Sequence, residues 1–88
     1  MVLAFIKWKD AMTDPDPHPG PVQAELYPLS EIGYLVAETD EVVTICMELD
    51  TATEHPGRFR LHIPRVNIIS MKTVEVEKAF NRKAKTII

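Results

Sequence analysis

Residues 58–73, Arg-Phe-Arg-Leu-His-Ile-Pro-Arg-Val-Asn-Ile-Ile-Ser-Met-Lys-Thr, alternate apolar and polar side chains, break once at Pro64 and resume as a second apolar run. Successive side chains of a strand point to opposite faces, so a period of two over 58–63 predicts a strand with Phe59, Leu61 and Ile63 inward and Arg58, Arg60 and His62 outward. Proline has no N–H and a fixed φ. At position 64 it ends that strand and opens a short turn through Arg65, Val66 and Asn67, expected to be a single helical one. A second strand is expected over 68–76, with Ile69 and Met71 inward and Ser70 and Lys72 outward. Two strands separated by so few turn residues suit an orthogonal corner in a small barrel.

The rest of the chain carries the same signal. Residues 1–9 read as a strand with Val2, Ala4, Ile6 and Trp8 on one face and Lys7 and Lys9 on the other, which leaves Leu3 and Phe5 on the lysine-bearing face. Residues 30–38 and 41–50 read as two strands joined at Thr39 and Asp40. Ile32, Tyr34 and Val36 oppose Gly33, Leu35 and Ala37 in the first; Val43, Ile45, Met47 and Leu49 oppose Val42, Thr44, Cys46 and Glu48 in the second. Both strands are largely apolar on both faces. Such strands are buried on both faces, and a chain this short has no helices to cover an outer surface, so the economical cover is another copy of itself.

Between the first two strands, residues 13–29 form a long connection that opens with four prolines and a glycine in nine residues, an exposed loop of extended and turn conformers. Leu26, Tyr27 and Leu29 are expected to pin its end to the body. Asp14, Asp16 and His18 have a spacing that invites a metal reading, but interleaved prolines hold an i, i+2, i+4 set extended, and no metal site is expected. Residues 51–57 make the next turn, ending at Pro56 and Gly57.

Eighty-eight residues make one domain. The expected fold is mainly β: a small five-stranded barrel of the SH3-like kind, also used by Sm proteins, over residues 1–76. Residues 77–88 form a basic tail, either a short helix or mobile.

The formal charge of −3 conceals a division at Gly57. Residues 1–57 carry two lysines against eleven carboxylates, net −9, and residues 58–88 carry eight cations against two carboxylates, net +6. A basic surface for phosphates, complementarity between copies of the chain, or a merely solvated surface would each produce this. The lone Cys46 excludes an intramolecular disulfide and reads as a small buried apolar residue. The apolar run at residues 1–6 is too short for a signal-peptide core or a membrane span, so a cytoplasmic protein is expected. No nucleophile–base pair, glycine-rich phosphate loop or His/Cys cluster stands at a recognisable spacing; neither catalysis nor a cofactor is expected.

Three segments, Ile6-Lys7-Trp8-Lys9-Asp10-Ala11, the run from Glu31 to Asp40, and Ile63-Pro64-Arg65-Val66-Asn67-Ile68-Ile69, resemble in order and spacing a family of small phage-encoded proteins. A looser similarity is to Sm and Sm-like ring proteins: Gly33 and Thr39 or Asp40 match their first motif, and Arg65-Val66-Asn67-Ile68-Ile69 the second, with valine in place of glycine. The resemblance implies a homo-oligomeric ring in which the strand before the corner pairs with the last strand of a neighbour. Phe59, Leu61, Ile63, Ile68 and Ser70 would then lie at the subunit interface. It further implies binding of single-stranded RNA or DNA near the two turns, with Arg65 and Asn67 as contacts and Arg58, Arg60 and Lys72 as supporting cations, in RNA or DNA processing inside a host cell. The competing expectation is a structural or assembly ring that docks phage or host proteins and binds no nucleic acid.

Overall fold

The computed structural model describes residues 1–12, 20–22, 24–50 and 57–77. They form five strands, β1 (Val2–Asp10), β2 (Tyr27–Glu38), β3 (Val42–Glu48), β4 (Arg58–Pro64) and β5 (Ile68–Glu75), with a one-turn 3₁₀ helix (Arg65–Asn67) between the last two. The single helical turn expected after Pro64 is therefore present. All neighbours are antiparallel and the order is β4-β3-β2-β1-β5. The mainly-β reading with five strands holds, but the sheet is open where a closed barrel was expected. β4 and β5 are its two edges, and no ladder joins them among the described residues.

β2 organises the sheet. Its first part, from Tyr27 to Tyr34, pairs with β1, and its second part, from Tyr34 onward, pairs with β3. The strand starts three residues before the expected Ser30, because Tyr27, Pro28 and Leu29 pair with Asp10, Lys9 and Trp8 instead of merely packing on the body. Two features lie where the partners change. A bulge falls between Leu35 and Ala37, and such a residue bends a strand and increases its twist. Gly33 lets β3 approach, since a Cβ at that position would lie 2.9 Å from the Cys46 carbonyl oxygen and 3.1 Å from the Ile45 Cβ.

The core is built from alternate residues. Ala4, Ile6 and Trp8 of β1, Val43 and Ile45 of β3 and Ile63 of β4 are buried together, with Leu29, Leu35, Leu61, Ile68 and Met71 packed around them. From Val43 to Cys46 β3 is buried on both faces, as its composition implied, but Met47 is 71% exposed. β2, expected to be buried on both faces too, leaves Ile32 66% exposed. Part of the second cover of β3 comes from the same chain. The buried Thr44 shares a 2.8 Å hydrogen bond with His62 Nδ1, and the buried Cys46 pairs in register with Arg60 beside Gly57, where an added Cβ would lie 3.3 Å from the Cys46 Sγ.

Two inward assignments fail for local reasons. Phe59 is 64% exposed, and its φ of +57° takes it out of regular strand geometry. Ile69 is 61% exposed, because the β1–β5 register shifts between Lys7 and Trp8. Lys7 pairs with Ser70 and Trp8 with Ile68, so Ile69 is the extra residue of a bulge and Ile68 takes its place beside the core.

The proline-rich residues 13–19, with Asp14, Asp16 and His18, the turn at 51–56 and the tail from residue 78 lie outside the described residues. Val76 and Glu77 have helical backbone. Among the described residues no helix is long and apolar enough to cross a membrane.

Candidate nucleic-acid interface

The corner positions its side chains by tying them to other parts of the chain. Thr39 begins the tight turn before β3: its hydroxyl accepts from the backbone N–H groups of Glu41 and Val42 at 3.2 and 2.9 Å, and its own N–H donates to the Val42 carbonyl at 2.8 Å. The Arg65 N–H donates to the Glu41 carbonyl at 2.8 Å, which seats the 3₁₀ turn against this one. Arg65 Nε then donates to the Thr39 carbonyl at 2.9 Å, and Nη2 reaches Glu38 Oε1 at 3.3 Å. On the other flank, Asn67 Nδ2 donates to the Lys9 carbonyl at 2.9 Å.

The two residues expected to contact nucleic acid are thus brought to one turn, and both spend donors on the chain itself. Arg65 is held at a site that also contains Glu38, Asp40 and Glu41, whose charge opposes a phosphate. What the corner leaves for a ligand is a partly exposed guanidinium already fixed in orientation. That arrangement suits stacking on a base better than bridging phosphates.

Truncating Arg65 should therefore register first as a loss of stability. Arg65→Ala removes one hydrogen bond to a carbonyl and one exposed ion pair, and we expect a cost of about 1 kcal/mol, read as a lower urea midpoint with unchanged slope. Arg65→Lys keeps the charge but not the planar fork, and should recover less than half of that. An Arg65→Ala midpoint equal to wild type would show that the clamp contributes nothing.

The supporting cations are divided between the two edges. Arg58 and Arg60 are on β4, and Lys72 is on β5. Arg58 lies 3.7 Å from Glu48 Oε2 and over the Phe59 ring, and Arg60 Nε donates to the Gly57 carbonyl at 3.1 Å. Lys72 is exposed and pairs in register with Phe5. Of the residues expected at a subunit interface, Ile63 is fully buried in its own core, so its contribution at the β4 edge is confined to its backbone; Leu61 and Ile68 are half-buried, and Phe59 and Ser70 are exposed.

Sequence reasoning passed over Thr39 and Glu38 as the partners of Arg65, which stand 26 and 27 positions away. It also assigned no role to Leu3 and Phe5, although their place on the face of Lys7 and Lys9 was a visible anomaly. No family model, no curated protein and no solved structure matches the chain, so the likeness to small phage-encoded and Sm-like proteins rests on the sequence motifs alone.

Proposed function

We propose that this chain is the subunit of an Sm-like homo-oligomeric ring that binds single-stranded nucleic acid. The observation that carries the reading is the strand order. Among the described residues it leaves β4 and β5, the strands on either side of the corner, as unpaired edges of one sheet. Unpaired edges are templates for another strand, and a head-to-tail contact between two different edges of the same chain closes into a ring when the rotation permits. Exposed apolar residues beside those edges, Phe59 on β4 and Ile69 and Val74 on β5, support covering by a neighbour. The net charge of +6 over residues 58–88 supports a polyanionic ligand. A ring that serves only in assembly is favoured by a different observation, the internal use of Arg65 and Asn67.

Binding of labelled poly(U), poly(A) and single-stranded DNA, with the mass of the oligomer recorded in the same samples, tests this reading. A closed oligomer should bind at least one of them. With about five phosphates neutralised, affinity should fall roughly 100-fold between 50 and 200 mM salt. A closed oligomer that binds none of them would leave the assembly ring, and a monomer at all concentrations would remove the ring itself.

A further inference from the structure

The face of the sheet turned away from the core carries a pattern that neither the corner nor the edges account for. Because Ala4, Ile6 and Trp8 are buried in the core, Leu3, Phe5, Lys7 and Lys9 face the other way. The ladders place three rows across β2, β1 and β5 on that side: Ser30–Lys7–Ser70, Ile32–Phe5–Lys72 and Tyr34–Leu3–Val74. No row contains a carboxylate. Of the acids of the same strands, Glu31 and Glu75 pair with Ile6 and Val2 and Asp10 stands in phase with Trp8, so all three belong by register to the opposite side, and Glu38 pairs with Val43 of β3.

The middle of this face is hollow. A pocket of about 150 Å³ is lined by Leu3, Phe5, Ile32, Lys72 and Val74 of this face together with Ala4 and Thr73 of the intervening row, and it is almost wholly apolar. Ile32 is 66% exposed at its rim, although it opposes Phe5 in a regular ladder. Lys7 Nζ stands over the Phe5 ring, 5.9 Å from its centroid. The face therefore combines an aromatic ring in an apolar hollow, a second ring at Tyr34 one row away, serine hydroxyls at Ser30 and Ser70, and lysines on two adjoining strands.

We infer that this outer face of β2, β1 and β5 is a stacking platform for the bases of single-stranded nucleic acid, with Phe5 under a base and Lys7, Lys9 and Lys72 on the backbone. The inference rests on the nucleic-acid reading above and moves its site from the corner to the sheet. Every base has a π-face, so stacking on an aromatic side chain tolerates sequence, while flanking cations take the phosphates. Lys7 and Lys9 are two residues apart on one strand, roughly 7 Å, a spacing that lets them serve successive backbone positions of an extended strand. Charge decides between this ligand and an acidic peptide only in part; the rings decide the rest, since a peptide carboxylate has no use for a ring in an apolar hollow. At the corner, by contrast, Arg65 Nε and Asn67 Nδ2 already donate within the chain and three carboxylates stand close by in sequence.

The test uses the whole chain with a labelled U12 oligonucleotide and, separately, a labelled polyglutamate peptide, and heparin, a sulfated polysaccharide without bases, as competitor. The variants are Phe5→Leu, Phe5→Tyr, Lys7→Gln and Lys72→Gln on the face, with Arg58→Gln, Arg60→Gln and Arg65→Lys at the β4 edge and the corner, each checked for an unchanged oligomer mass. Phe5→Leu should weaken binding by roughly 5- to 100-fold. Phe5→Tyr, which keeps the ring, should bind like wild type. Each lysine variant should reduce the salt slope by about 0.7. Ultraviolet crosslinks should map to Phe5 or Tyr34, a readout that a merely structural role for Phe5 would not produce. Binding that Phe5→Leu leaves unchanged and heparin displaces as well as U12 does would overturn the platform in favour of a charged surface. Loss confined to Arg58→Gln, Arg60→Gln and Arg65→Lys, with crosslinks at residues 65–67, would overturn it while leaving nucleic-acid binding intact. An acidic peptide bound where no oligonucleotide binds would overturn both.

Discussion

Ile6→Ala should lower the stability of this protein by roughly 2–5 kcal/mol, the range for emptying a fully buried aliphatic site. Ile6 is inaccessible to solvent and lies between Ala4 and Trp8 in the buried row of β1, opposite Glu31 of β2 and Met71 of β5. The loss has two parts, the transfer of the deleted methyl and methylene groups and the cavity left behind. Neither is easily relieved, because β1 is hydrogen-bonded on both sides and cannot collapse into the space. A chain of this size has ~4–13 kcal/mol in total, so the substitution removes a large share of it. Ile6→Val should cost about 0.5–1.5 kcal/mol. Ile32→Ala, on the outer face, should cost well under half as much as Ile6→Ala. Urea denaturation at one protein concentration measures all three, since the stability of an oligomer depends on concentration. Equal midpoints for Ile6→Ala and Ile32→Ala would mean that Ile32 on the outer face of β2 is as well buried as Ile6 in the core, which would sink the division of the sheet into a core face and an open one.

That division of β1 into two faces was legible in its sequence, and so was the core half of β4. Alternation reports side-chain direction wherever the backbone remains a regular strand, and Ile6 and Ile63 are both buried where alternation puts them. It fails one residue past a bulge: the shift between Lys7 and Trp8 exchanges Ile68 for Ile69, and nothing in Ile-Ile distinguishes them before pairing is known. Phe59 fails similarly, through a positive φ that its composition does not announce. The candidate site was legible in place but not in state. Arg65 and Asn67 do occupy one turn, yet their partners are Thr39 and the Lys9 carbonyl, 26 and 58 residues away. Long-range hydrogen bonding by a side chain leaves no periodic mark. The charge split at Gly57 is not a strict division in space, because Lys72 of the basic part joins Lys7 of the acidic part on one face.

Gly33→Ala carries the second large effect, and its sign separates two explanations of the residue. A glycine in a strand interior weakens it, so propensity alone predicts that alanine stabilises by about 0.4–1 kcal/mol through a less flexible unfolded chain. The geometry predicts the reverse. An alanine Cβ at position 33 would stand 2.9 Å from the Cys46 carbonyl oxygen and 3.1 Å from the Ile45 Cβ. The closest atom is backbone, in a strand whose other side is hydrogen-bonded to β4, so it cannot rotate away as the end of a flexible side chain would. Relief requires β3 to move from β2 at the point where β2 changes partners, which would also loosen the Ile45 and Val43 contacts with the core. Overpacking of this kind costs about 1–3 kcal/mol, enough to outweigh the propensity gain. The expected result is a lower urea midpoint for Gly33→Ala. Gly33→Val, which also branches at Cβ, should be worse than Gly33→Ala despite its higher strand propensity. A rise in midpoint for either would sink the close approach of β3 to β2, and with it the account of how the long second strand bends to serve two partners.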